Sequence, residues 1–480
     1  MKKYYRLNYI LILVLVCALL PFRVEAGYEI PGSCHVQTDT SAAGVIKTLD
    51  YGYANNTYLS LRDTAMILRE TDKGFSLEIT KNAVSVNLGN AYTPVGTENA
   101  PWESSENPDL TLRRNDFLVN GQKVYYYTMI YALPAGGYDC FIMAADLAMI
   151  LDVDIAVPST GVLQINTQTS FGITPAALEQ AGYFYGVNSV LVGDATTGEI
   201  YYQYQSDTAY PIASTSKLMT CLLAMEAVSA GQISTDQSTV VSEAVCALSV
   251  SGDGVIPFEA GQQITVQELL TGALLPYSNE CALCLAETID GSEEAFVRRM
   301  NQKAQDLGLS QAFFYNSHGL PAFTQDPVPA KRQNRMSAKD MFQMVSYLLK
   351  VYPQIKEITS QQEATLPSLN LEVRNSNPLL RNMSQVTGLK TGTTNKSGAC
   401  LVTSLAADDG VITHDLVVVV LGTEDSIERG RVSGLLARYA LQAFASGAGE
   451  AVTEPVPQNL PTQAEAAVEW LLQAAKKRDL

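Results

Sequence analysis

Two short stretches carry residue types able to do chemistry. In PIASTSKLMT, Pro211 to Thr220, a serine at 214 and a lysine at 217 precede Leu218, Leu222 and Met225 at helical spacing. A serine hydroxyl becomes a strong nucleophile only when a neighbouring base takes its proton. On the first turn of a helix, residues at i and i+3 share a face, so the Lys217 amine can reach the Ser214 hydroxyl. Burial and the positive end of the helix dipole both favour a neutral lysine, which can then be that base. The plainer reading is a helix cap, with Ser214 accepting a backbone N–H and Lys217 solvated. The pair alone does not separate the two, because such an offset arises by chance about once in a chain this long.

The second stretch, LKTGTTNKSGAC, sets Lys390, Thr391 and Gly392 at the start of sheet-like text. A cation and a hydroxyl can hold a carboxylate, and a glycine after them lets the strand approach a ligand closely. Between the two lies ALLPYSNECALCLAE, where Asn279 precedes an apolar helical run; its plain reading is another helix start, capped by Ser278 or Asn279. A Ser-His-Asp triad would have to recruit His35, His318 or His414, and no serine sits in a G-x-S-x-G elbow.

Taken in order, the Ser214/Lys217 pair, the Asn279 motif and Lys390-Thr391-Gly392 resemble the penicillin-binding-protein and serine β-lactamase superfamily. DATTGEIYYQYQSDTAYPIASTSKLMT, ITVQELLTGALLPYSNECALCLAE, FYNSHGL around His318 and VTGLKTGTT most closely resemble the low-molecular-mass D-alanyl-D-alanine carboxypeptidases of the S11 peptidase family, over about 185–440. The resemblance implies a β-lactamase/transpeptidase-like domain with an antiparallel sheet and a helical subdomain. It implies that Ser214 attacks the carbonyl of the penultimate D-alanine of a peptidoglycan stem peptide and is acylated, with Lys217 as general base. Asn279 would orient the substrate amide and Lys217; Lys390 would supply positive charge; Thr391 would bind the terminal carboxylate. Backbone N–H groups of Ser214 and Thr393 would form the oxyanion hole. β-Lactam antibiotics would acylate the same serine, and neither a metal nor another cofactor is called for. In one place the chain departs from the family: Tyr277 stands where S11 enzymes usually have serine, leaving the proton-shuttle role open. A serine β-lactamase and a decayed wall-binding protein are the other readings.

These motifs need elements to position them. The chain has 480 residues, 47% hydrophobic and 17% charged, enough for two or more domains. A formal charge of -17 argues against nucleic acid as a partner. The N-terminus, 1–26, has a basic start, an apolar run and Val24-Glu25-Ala26, and reads as a cleavable secretory signal, with a retained anchor as the alternative; either way the rest is exported to the cell surface or beyond. Eight cysteines show no metal-type pairing, and the lone C-x-x-C of Cys281 and Cys284 reads as buried small residues in a helix.

Two segments repeat, YLSLRDTAMILRE from Tyr58 and CFIMAADLAMILDVD from Cys140, each followed by alternating strand-like text. Residues 45–168 are therefore expected to form a small α+β repeat domain. That stretch resembles the copper amine oxidase N-terminal-like domain, although no histidine lies between His35 and His318 to bind copper. The expected catalytic domain, 180–446, is of mixed α/β (α+β) class. It opens with a hairpin around Asp194 and Gly198, continues with helices from Lys217 and from Glu294, and ends in sheet text over 387–422. Beyond it, 447–480 reads as a proline-rich linker and an amphipathic helix ending in Lys476, Lys477 and Arg478, either a membrane-surface anchor or a docked terminal helix.

Overall fold

A computed structural model describes residues 30–447 apart from 41, 52–55, 101–111, 134–135, 157–161, 170–173, 176–183, 185, 249–255, 325–329 and 382. The expected signal at 1–26 and the tail beyond Gly447 lie outside the described residues. The chain divides into two units, one of Met1–Asp116, Tyr127–Phe171 and Gln180–Gly182, the other of Phe117–Tyr126, Gly172–Glu179 and Tyr183–Leu480.

The sequence repeat is visible in the first unit. Strand Asn56–Ser60 leads into helix Leu61–Leu68, and strand Tyr138–Met143 leads into helix Ala144–Leu151. The two strands pair antiparallel, Tyr58 opposite Met143, at the middle of a ten-stranded sheet. The copies differ in their caps: Ser60 accepts the Asp63 N–H at 3.0 Å, whereas Met143 has no side chain to offer. Asp63 is fully buried and takes both the Lys47 and Asn99 backbone N–H groups at 2.8 Å, so this acid ties separate segments together.

The second unit is built on five antiparallel strands in the order Ile200–Tyr204, Ser189–Asp194, Thr413–Thr423, Gly398–Asp408, Val386–Thr394. The text HDLVVVVLG lacks the alternation expected of a half-exposed strand because both faces of its strand are covered. Val417, Val419 and Leu421 belong to the core shared with helices Lys217–Ser229 and Ala338–Val351. Leu416, Val418 and Val420 alternate to the other face, where helix Ser426–Ser446 packs on the same strand. Val386–Thr394, which carries Lys390, is an edge strand of this sheet, paired to a strand on one side only among the described residues.

The helical layer is held in place by local signals. Thr265 and Glu268 form a capping box at the start of helix Val266–Leu274. Ser278 caps helix Asn279–Asp290, which ends at Gly291 with φ 76°. These two helices approach so closely that a Cβ on Gly272 would lie 2.5 Å from Cys281 Sγ. Cys281 is buried in that contact, and it and Cys284 are both buried free thiols.

Candidate active site

Four segments meet around Ser214. The residue before it, Ala213, has φ +47°, a left-handed conformation that costs an L-residue about 1 kcal/mol or more. From there a 3-10 turn, Ala213–Ser216, runs straight into helix Lys217–Ser229. This corrects the expectation that Ser214 caps the helix. The Lys217 N–H bonds to backbone oxygens of Ser214 and Thr215, and neither helical segment has a side-chain cap, so the Ser214 hydroxyl is left for other work. Ser214 is partly exposed, whereas Lys217 is 0% exposed.

Lys217 Nζ lies 2.9 Å from Ser214 Oγ, 2.8 Å from Asn279 Oδ1 and 2.7 Å from the His318 carbonyl oxygen. A neutral amine has two N–H bonds and one lone pair. The Asn279 and His318 oxygens can only accept, so in that neutral form they take the two N–H bonds and leave the lone pair for the Ser214 O–H, whereas the ammonium form donates to all three oxygens. Burial pushes the Lys217 ammonium down to about 7, against the pull of Glu280, which keeps the base available near neutral pH.

The partners of Lys217 are themselves fixed. Tyr277 adopts φ +63°, turning the chain so that Ser278 can cap the next helix and Asn279 can face the lysine. The loop bearing His318 backs the Ala213–Ser214 turn: Gly319 has φ +95°, and a Cβ there would lie 2.0 Å from the Ala213 carbonyl oxygen. The His318 ring accepts the Leu320 N–H at 3.2 Å, and burial holds its acid form down to about 3. It therefore contributes a carbonyl rather than a titrating imidazole. His414 sits instead with Asp194 at 2.6 Å and Asp409 at 3.2 Å, on strand Thr413–Thr423.

Strand Val386–Thr394 brings the other motif to the serine. Lys390 is 1% exposed, and among the described residues its Nζ has no hydrogen-bond partner, lying instead over the Tyr277 ring, 5.2 Å from its centre. Burial, and then the charge of Lys217, drive its ammonium well below the ordinary lysine range. Thr391 is buried and shares a short hydrogen bond with Ser376. A Cβ on Gly392 would lie 2.7 Å from the Ser214 nitrogen and 2.9 Å from that of Thr215. Only glycine allows this strand to lie against the backbone of Ser214 and Thr215. Gly392→Val is expected to push the strand off Ser214 and lower the rate of acylation at least about 100-fold, measured as the second-order rate of penicillin labelling.

Two contributors left no signal in the motifs. Arg429, buried on helix Ser426–Ser446, reaches the exposed Thr393, its Nη1 3.1 Å from Oγ1, while its Nε has no partner among the described residues. Ser376 lines a cavity of about 370 Å³ together with Tyr277, Pro276 and Val373. Both come from segments whose text is ordinary helix or loop, so only their placement marks them.

The fold thus gathers a buried lysine within hydrogen-bond distance of a partly exposed serine, a second buried amine and an edge strand. Residues 184–425, half of the chain, match the S11 peptidase family, described as D-alanyl-D-alanine carboxypeptidase, and the chain belongs to that family. It is 34% identical over 220 residues to the D-alanyl-D-alanine carboxypeptidase DacF of Bacillus subtilis (strain 168), covering 45% of this chain and 53% of that protein. It is 30% identical over 219 residues to a D-alanyl-D-alanine endopeptidase of Pseudomonas aeruginosa, covering 45% of this chain and 65% of that one. These matches span about half to two thirds of each relative's length. A crystal structure from Streptococcus pneumoniae described as a peptidoglycan synthesis regulatory factor (PBP3) aligns at 30% identity with a TM-score of 0.49, over 53% of this chain and 73% of that one.

Proposed function

We propose that this protein is an exported serine D-Ala-D-Ala carboxypeptidase that removes the terminal D-alanine from peptidoglycan stem peptides, and that β-lactams acylate the same serine. The observation that carries this reading is Lys217 Nζ, held by two oxygen acceptors with Ser214 Oγ at 2.9 Å. Ser214 Oγ attacks the carbonyl carbon of the penultimate D-alanine while its proton passes to Lys217. The tetrahedral oxyanion is received by the Ser214 and Thr393 N–H groups, each such donor contributing about 3 kcal/mol. As the intermediate collapses, the C–N bond breaks and Lys217 returns the proton to the leaving amine. Water, deprotonated by Lys217, then hydrolyses the ester and frees Ser214.

The terminal carboxylate of the leaving D-alanine has a cationic place to go. Thr391, Lys390 and Arg429 surround the strand end beside Ser214, and the buried Lys390 Nζ and Arg429 Nε, which have no hydrogen-bond partner among the described residues, suit an incoming anion. Arg429→Gln is expected to lower kcat/KM for a D-Ala-D-Ala peptide about 10- to 100-fold, mainly through KM, as loss of a charge-assisted hydrogen bond implies. Steady-state kinetics on a pentapeptide read this directly. Tyr277 keeps its phenyl face under Lys390 and its side chain on the cavity wall, which supports a substrate-positioning role for it.

Incubating the full chain with a stem pentapeptide and measuring free D-alanine tests the reading as a whole. Release of one D-alanine per peptide is the expected result, and none would overturn it. The lifetime of the penicillin adduct separates the two enzymatic readings: minutes support a carboxypeptidase, and hydrolysis within about a second a β-lactamase.

A further inference from the structure

The site holds two buried amines, Lys217 and Lys390, and next to Asn279 a buried carboxylate, Glu280, which is 1% exposed. One Glu280 oxygen accepts the Ser278 hydroxyl at 2.6 Å. The other, Oε1, is buried and has no hydrogen-bond partner among the described residues. Leaving a buried acceptor without a donor costs stability, and the fold could have avoided it with an apolar residue. Several features hold this acid in place. Asn279 and Glu280 open helix Asn279–Asp290, where the dipole favours negative charge. Ser278 caps that helix and orients Glu280 at the same time.

We propose that Glu280 is a positioning residue for Lys217: its buried charge balances the ammonium formed when Lys217 takes the Ser214 proton, and so sets the pH range over which Lys217 serves as base. This inference rests on the roles given above to Ser214 and Lys217.

The charges around Lys217 leave this task to Glu280. From its own helix Lys217 is faced by Cys221, and from helix Asn279–Asp290 by Cys281 and Glu280. From strand Val386–Thr394 it is faced by Lys390, and from the loop behind it by His318. Tyr277 and Arg429 lie a step further out, beside Lys390, and Glu293 lies behind His318, 3.6 Å from Nε2. Burial pushes Cys221 up to about 12 and Cys281 higher, and holds His318 at about 3, so all three are neutral between pH 5 and 8. Lys390 can only repel a new cation. Two described carboxylates lie near these groups: Glu293 accepts from Ser317 and reaches only the His318 ring, whereas Glu280 directly follows Asn279, the partner of Lys217, and keeps a buried oxygen without a hydrogen-bond partner among the described residues, so Glu280 is the one left to offset the charge arriving with the proton. Because Nζ is already surrounded by three oxygen neighbours, Glu280 acts through its field rather than by taking the proton.

Glu280→Gln keeps the shape and an oxygen for the Ser278 hydroxyl while removing the charge. The second-order rate of labelling of the full chain by a fluorescent penicillin is measured from pH 5 to 9. The plateau rate is expected to fall about tenfold, and the midpoint of the acid limb to move about one pH unit or more below its wild-type position, because an unbalanced lysine gives up its proton more readily. A lower plateau with an unmoved midpoint would mean a merely structural role and would overturn the proposal. Glu280→Asp retains the charge, so its midpoint is expected to stay within about 0.3 units of wild type. If the glutamine variant does not fold, Glu280→Leu, which fills the buried space without a charge, is read the same way: a midpoint lowered by about one unit or more supports the proposal, and an unmoved midpoint overturns it. Failure of the underlying reading looks different, since the wild-type chain itself would then not be labelled at any pH.

Discussion

Ser214→Ala is expected to abolish covalent labelling by a fluorescent penicillin and release of D-alanine, with the protein still folded. Among the described residues, Ser214 carries the one hydroxyl that hydrogen-bonds Lys217 Nζ. Around Lys217 Nζ the hydrogen-bonding neighbours are Ser214 Oγ, Asn279 Oδ1 and the His318 carbonyl, and only the first can be a nucleophile. The adjacent hydroxyls are already committed, Thr215 to the Ile212 carbonyl, Ser216 to the Ala213 carbonyl and Ser278 to Glu280. The structural cost is small because Ser214 caps nothing and is partly exposed; losing its bond to Lys217 removes about 1 kcal/mol. Persistent labelling of this variant, with a melting transition like that of wild type, would sink the assignment of Ser214 as nucleophile.

Lys217→Met carries the second-largest expected effect, a fall in acylation rate of about 100- to 10,000-fold, the range typical of losing a general base. Methionine can fill the buried space but cannot accept a proton. The same lysine is expected to set the pH dependence of the wild type. Burial brings its ammonium down to about 7, so above that pH the amine is free, and below it the proton already present blocks catalysis. Acylation by penicillin is expected to fall about tenfold for each pH unit below 7 in the wild type, and to lose this acid limb in Lys217→Met. Stopped-flow labelling across pH 5 to 9 measures both. An acid limb that survives in the methionine variant would assign the titration to another group.

Much of the site was legible because its chemistry is written in short, local offsets. A serine and lysine at i and i+3 meet whenever the chain between them is helical, and a 3-10 turn leading into a helix serves as well as a helix start. A Lys-Thr-Gly run on a strand presents its residues in a known alternation. The cap reading of Ser214 failed because it assumed that the helix begins at the serine. Ala213 takes a left-handed turn that no local propensity anticipates, and the tertiary fit of Gly319 and Gly392 against that turn is what maintains it. Arg429 and Glu280 were not legible as parts of the site for a different reason. Arg429 meets Thr393 across 36 positions of sequence, and Glu280 reads as an ordinary first-turn acid.

What the sequence determined by itself was the identity and order of the polar groups that meet at the candidate site, the repeat of the first unit, and the hydrophobic runs that build the sheet, since each depends on residues close together in the chain. What only the tertiary structure decided was their electrostatic state. Whether Lys217 is a solvated cation or a neutral base depends on water exclusion and on neighbours drawn from helix Asn279–Asp290, the His318 loop and strand Val386–Thr394. Desolvation and charge pairing are properties of the packed interior, and no spacing in the sequence encodes them.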